Sequence, residues 1–175
     1  MKKIALLISL FFLDQLCFAQ IITFEKTYPY FAVEDERAMQ IICTKDGGYA
    51  MRNETNAGGM FTTQYGAVIK LDSLGNKQWD YRFIISMDSG LDCIAETNDS
   101  GIIMALTIPT DTSGVGNYNL LFVKLNKVGQ VLWSKVIDAQ FWVGSIRHIE
   151  SLKNNNFLVS SYGYGVSNLL LLDGL

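Results

Sequence analysis

The chain has 175 residues, of which 49% are hydrophobic, 12% aromatic and 18% charged. That balance excludes a disordered protein, which lacks the apolar surface to offset its ordering entropy. A formal charge of −3 gives no basic footprint of the kind a nucleic-acid binder carries, and one His with 3 Cys leaves few ligands for a metal centre.

Lys2-Lys3 followed by the apolar run Ile4 to Leu13, then Cys17-Phe18-Ala19, has the three parts of a secretory signal peptide. Residues 1–19 are therefore expected to be removed by cleavage after Ala19. The apolar run spans about half of a bilayer's hydrocarbon core, so a membrane anchor is the poorer reading. Cys17 invites a lipoprotein reading, but Asp14, Gln15 and Leu16 precede it where a lipobox needs small residues. The remainder, residues 20–175, is expected to be exported, secreted or displayed at the cell surface, with no integral membrane segment.

Self-comparison organises that remainder. Gln40 to Met51, Cys93 to Met104 and His148 to Val159 align without gaps and at a nearly constant spacing. Each joins two apolar runs through a polar turn: Lys45-Asp46-Gly47-Gly48, Asn98-Asp99-Ser100-Gly101 and Lys153-Asn154-Asn155-Asn156. Such residues tolerate positive φ and mark β-hairpins. Ile69 to Trp79 and Val123 to Trp133 form a second repeated element at the same spacing, again a strand, a turn with Gly (Gly75, Gly129) and a strand carrying Trp. Leu170 to Leu175 begins it a third time. Asp35 to Lys45 and Arg147 to Lys153 also have helical spacing, but the aligned middle copy, Cys93 to Thr97, is too short for a helix.

Each unit thus reads as four strands with a period of about 54 residues, a length at which self-similarity marks a repeat architecture. Residues 23–28 resemble an isolated fourth strand, lying one repeat length before Gln78 to Phe83. One fourth strand, two full units and a unit of three strands is the arrangement by which a β-propeller closes without an open sheet edge. The expectation is an all-β partial propeller over 20–175: a strand at 23–28, blades at 38–83 and 91–137, and an incomplete blade at 146–175. Three blades fall short of the usual four to eight, so the chain reads as an open arc from a longer propeller. A β-solenoid is the competing topology.

Thr44 to Tyr49 and Ile69 to Trp79 resemble repeats of secreted β-propeller proteins of Gram-negative bacteria that use type IX secretion. The turn with Leu-Asp and Gly before a Trp strand is similar to quinoprotein-type (PQQ-like) and delta-60-like repeats. The resemblance covers residues 23–175, is specific in the first unit, looser in the second, where Asn126 replaces Asp72, and weak in the third. It implies an extracellular or cell-surface propeller, often followed by a sorting domain, and transfers fold better than function.

Candidate chemistry is sparse. Gln40, Cys93 and His148 share one repeat position, so a Cys93–His148 dyad is conceivable, but packing positions on the first strands explain them with fewer assumptions. Cys43 and Cys93 are expected to be buried free thiols rather than a disulfide. Asp72 to Asn76 has a passing likeness to a calcium loop, without the oxygens such a loop needs; a hairpin turn suffices. Glu34, Asp35 and Glu36 read as a solvated loop, and Gly58-Gly59 and Gly114-Val115-Gly116 lack the context of a phosphate loop. Trp79 and Trp133 recur at one place in the unit, which favours packing between blades over sugar stacking.

No catalytic, cofactor or metal residue is therefore assigned, and no quinone site stands out. The expected function is a non-enzymatic module that offers its variable loops (53–64, 108–119, 163–168) to a protein or glycan ligand. The alternative is a piece of a secreted enzyme whose catalytic residues lie in other blades.

Overall fold

The computed structural model describes residues 24–28, 36–56, 64–85, 90–110, 118–138, 145–163 and 166–173. The expected leader at residues 1–19, Glu34-Asp35, both glycine groups and the centres of the variable loops lie outside these residues. The described chain is all-β, with eleven antiparallel strands in three sheets and no helix. No helix among the described residues is long and apolar enough to cross a membrane.

The first sheet contains β1 (Glu36–Cys43), β2 (Tyr49–Asn56), β3 (Gln64–Leu71) and β4 (Lys77–Ile85) in that order. The second repeats it with β5 (Gly90–Glu96), β6 (Ile102–Pro109), β7 (Tyr118–Leu125) and β8 (Val131–Ile137). The third holds β9 (Ile146–Ser151), β10 (Phe157–Gly163) and β11 (Val166–Leu172). The segments with helical spacing are thus strands β1 and β9.

The turns explain the repeat. At the hairpin between first and second strands, Gly47 has φ 80°, Ser100 61° and Asn155 62°. In the first two sheets an Asp closes the turn: Asp46 accepts from Thr44 Oγ1 at 2.6 Å and from the Gly48 amide at 3.0 Å. Asp99 makes the same bonds with Thr97 and with the Gly101 amide. A buried lysine from the third strand completes each network: Lys70 Nζ donates to Asp46 Oδ2 at 2.7 Å and to the Leu71 carbonyl at 3.0 Å. Lys124 Nζ donates to Asp99 at 2.9 Å and to the Leu125 carbonyl at 2.8 Å. A Cβ at Gly101 would stand 2.1 Å from Lys124 Nζ, so glycine makes room for the ammonium. In the third unit Asn156 and Leu171 occupy these two places, and the glycine and the lysine disappear together.

The hairpin between third and fourth strands is an Asx turn. Asp72 Oδ1 accepts from the amides of Leu74 and Asn76 at 2.9 and 2.7 Å, and Asn126 Oδ1 from Val128 and Gln130 at 3.0 and 2.9 Å. These bonds account for Asp72, the residue that suggested a calcium loop.

The sheets stack face to face. Between the first and second lie Ala50, Val68, Ile94, Ile102, Met104, Val123 and Leu125, with Trp79, Tyr81 and Phe83 packed against them. Between the second and third lie Cys93, Ile103, Phe122, Ile149, Phe157 and Val159, with Trp133 alongside. Phe122 is 0% exposed, and burial of a side chain of this size stabilises by about 3 kcal/mol. The same polar contacts recur at each step: Lys45 Nζ donates to the Thr97 carbonyl at 2.9 Å, and Asn98 Nδ2 to the Leu152 carbonyl at 2.7 Å.

Residues 24–28 differ from expectation, because they form no ladder with any described strand. They nevertheless lie on the first sheet as a fourth strand lies on the sheet that follows it. A Cβ at Gly75 would stand 2.7 Å from the Phe24 ring, and one at Gly129 would stand 2.7 Å from the Trp79 ring. Tyr28 Oη donates to the Gly75 carbonyl at 2.7 Å, and Trp79 Nε1 to the Lys127 carbonyl at 2.9 Å.

Candidate functional site

The three first strands share an irregularity. The register shifts around Met39 in β1, Asp92 in β5 and Arg147 in β9, which are equivalent positions of the repeat. A bulge of this kind re-aims the extra side chain. Met39 and Arg147 are exposed, whereas Asp92 is largely covered.

Asp92 is the centre of a polar cluster that touches all three sheets. Thr107 Oγ1 in β6 donates to Asp92 Oδ2. The Ile146 amide of β9 bonds to its carboxylate. Arg52 Nη1 in β2 donates to the Asp92 carbonyl oxygen, and Arg52 also pairs with Glu54 at 3.3 Å. Burial raises the Asp92 carboxyl to about 6, against the opposing pull of Thr107, Arg52 and the Ile146 amide. Burial also raises Glu54. Arg52 is itself buried, and its Nε has no partner, nor does Asn53 Oδ1.

The cluster lies near the strand ends from which segments 57–63, 86–89 and 111–117 depart. Its chemistry is that of a clamp: the Thr107 hydroxyl holds the Asp92 carboxylate, and the Arg52 guanidinium spans from Glu54 on its own strand to the Asp92 main-chain carbonyl of the next sheet. Thr107 spends its proton on the Asp92 carboxylate.

The positions singled out by sequence separate in space. The Gln40 amide accepts from Ile94 N at 2.8 Å and donates to Ile94 O at 3.2 Å, stapling β1 to β5. Cys93 is 1% exposed inside the core. Burial, followed by the charge of Asp92, pushes its thiol up to about 12, which opposes the thiolate a nucleophile requires. The His148 side chain is exposed on β9. Both Cys43 and Cys93 are free, but Cys43 is exposed rather than buried: its strand edges a face that no described sheet covers.

Among the described residues no three His, Cys, Asp or Glu side chains are grouped to hold a metal ion. A cavity of about 370 Å³ lies between the second and third sheets, walled by Trp133, Leu132, Lys124, Asp99, Ser151 and Phe157. Trp133 there repeats Trp79, whose ring is covered by Gly129. Sequence reasoning missed the Asp92 cluster. The signal was a break in the repeat: Arg52 stands where the other units have Ala105 and Ser160, and Asp92 where they have Met39 and Arg147.

No protein-family model matches the chain, and no curated protein matches it.

Proposed function

We propose that this chain is an arc of a β-propeller that acts outside the cell as a non-catalytic scaffold and binds a protein or glycan through the segments joining its second and third strands. The observation that carries this reading is the repetition of one inter-sheet step. Lys45 to Thr97 and Asn98 to Leu152 make it twice, and the first strands β1, β5 and β9 run beside one another in sequence order. Strands that keep this order around an axis are the inner strands of propeller blades.

Lys70 and Lys124 are engaged with the turns of their own sheets and Arg52 with the neighbouring one, and loops of varied length on a repeated scaffold are where recognition sits. The signal-peptide pattern of residues 1–19 supports an extracellular location. Replacing 57–63 and 111–117 by Gly-Ser segments of equal length tests the assignment. Binding on a glycan array or to a surface-protein panel is expected to vanish while the thermal midpoint holds. Retained binding would move the site elsewhere, and protease accessibility on intact cells tests the location.

A further inference from the structure

We propose that Glu54, Arg52 and Asp92 form a proton-operated latch across the three sheets: it is shut while Asp92 holds a proton, and loss of that proton frees the start of β9 from β5. Two equivalent main-chain amides mark its ends. Leu91 and Ile146 stand at the same position of the repeat, each just before the bulge of a first strand. Each amide is held by a carboxyl group of the preceding sheet, Leu91 by Glu54 of β2 and Ile146 by Asp92 of β5. Arg52 joins the two acidic residues, pairing with Glu54 at 3.3 Å and donating to Asp92. One polar chain thus runs from the first sheet to the third.

Charge is unbalanced along this chain. Two carboxyl groups share one buried guanidinium, and Arg52 reaches Asp92 at its main-chain oxygen while its ion pair goes to Glu54. The Asp92 carboxyl otherwise faces the neutral Thr107 hydroxyl of β6, the Ile146 amide of β9 and the neighbouring Cys93 thiol of β5. Arg37 lies opposite Glu54 in the β1–β2 ladder and is exposed, as are Arg147, His148 and Glu150 on β9. A covered carboxylate that shares its counter-ion is costly, and taking up a proton removes that cost. Burial accordingly raises Asp92 to about 6, and raises Glu54 as well.

The joint at Ile146 is the place built to yield. Ile146 is the first residue of β9, which at six residues is the shortest of the described strands. It pairs with Ser161, and the bulge at Arg147 separates that pair from the rest of the ladder. Opening there lets water reach an ionised Asp92 while Ile149, Phe157 and Val159 stay in the core between the second and third sheets. The proton favours the shut form, so closure is complete below the carboxyl's ordinary value of 3.8 and is lost as pH rises to the folded value of about 6. The latch does not depend on the propeller reading, since it needs only these three sheets.

Native-state hydrogen exchange of the full chain, resolved by residue and corrected for intrinsic exchange, tests the latch from about pH 4 to about pH 8. Exchange at Ile146 is expected to quicken about 100-fold as pH rises to about 6 and then to level off, while the β2–β3 ladder changes far less. Asp92→Asn is expected to hold Ile146 at the slow limit throughout. Thr107→Val removes a donor to the carboxylate and is expected to carry the rise to higher pH. A flat Ile146 profile in the wild type overturns the inference, and so does a rise that survives in Asp92→Asn. Equal quickening in all three sheets also overturns it, because that is the mark of global destabilisation. If Asp92→Asn fails to fold, Thr107→Val decides: a rise left in place or moved to lower pH overturns the latch.

Discussion

The indole of Trp79 covers Gly129 of the following sheet so closely that a Cβ on Gly129 would stand 2.7 Å from the ring, at a φ of 81°. Two costs therefore combine at one residue, a left-handed backbone and a steric overlap. Gly47 isolates the first, because its φ is 80° and a Cβ there would meet nothing within 4 Å. Gly47→Ala is expected to lose about 1 kcal/mol and Gly129→Ala about 3 kcal/mol or more. Urea unfolding of the two variants measures the difference, and equal losses would show that the Trp79 contact adds nothing.

The Lys70–Asp46 pair sets a response to acid. Lys70, then Thr44, hold the Asp46 carboxyl down at about 2, against 3.8 for the free group. A folded value below the unfolded one gives stability that is complete above the unfolded value and lost as pH falls through the folded value. Lys70→Met is expected to cost no more than about 2 kcal/mol at neutral pH, since Asp46 keeps contact with water, which screens the pair, and no buried charge is orphaned. It should also flatten the decline of stability below about pH 4. Urea midpoints of the two proteins between neutral pH and that range measure both effects. Asp99, with Lys124, follows the same rule: its carboxyl is held at about 2 despite an opposing desolvation.

Asp92 works in the other direction. Its folded value of about 6 lies above 3.8, so its contribution is complete below the unfolded value and is lost as pH rises through the folded one. Asp92→Asn keeps an acceptor for Thr107 and removes the buried charge. The variant is expected to be more stable than the wild type at pH 7 by on the order of 2 kcal/mol, with the difference closing as pH falls toward 4. Denaturation midpoints across that range measure it; a variant less stable at pH 7 would show that ionised Asp92 is needed to hold the three sheets.

The cysteines should separate kinetically. Cys43 is exposed and Cys93 buried, with its thiol pushed up to about 12. A maleimide at neutral pH is expected to label Cys43 promptly and Cys93 only on unfolding. Peptide mapping of a brief reaction reads this directly.

The parts of the fold legible in the sequence are those fixed by local chemistry. Asp46-Gly47-Gly48 and Asp72 to Gly75 specify their hairpins through bonds between near neighbours in the chain, so the turn residues alone announce them. The rest depends on what lies across a sheet interface. Cys43 reads as buried because the repeat implies a covering sheet, and no described sheet covers it. Residues 24–28 read as a strand from alignment, yet a ladder needs a partner edge, and among the described residues they pack instead on the turn at Gly75 and on the Met51 and Ile69 face of the first sheet. The Asp92 cluster joins β2, β5, β6 and β9, so its members are far apart in the chain and bear no motif. They differ from their repeat equivalents, and that departure is the one trace they leave.

The hydrogen-bonded ladders all close between strands that follow one another in the chain, and even the widest pairing, Ile102 with Leu125, stays within a single hairpin. Little loop entropy stands between a unit and its own sheet, so each meander can assemble before its neighbours do. Docking then proceeds sheet by sheet, and the molecule behaves as a short linear array. The middle sheet, covered on both faces, should be the last to release its amides, while the third sheet opens from β11, which among the described residues pairs with β10 alone.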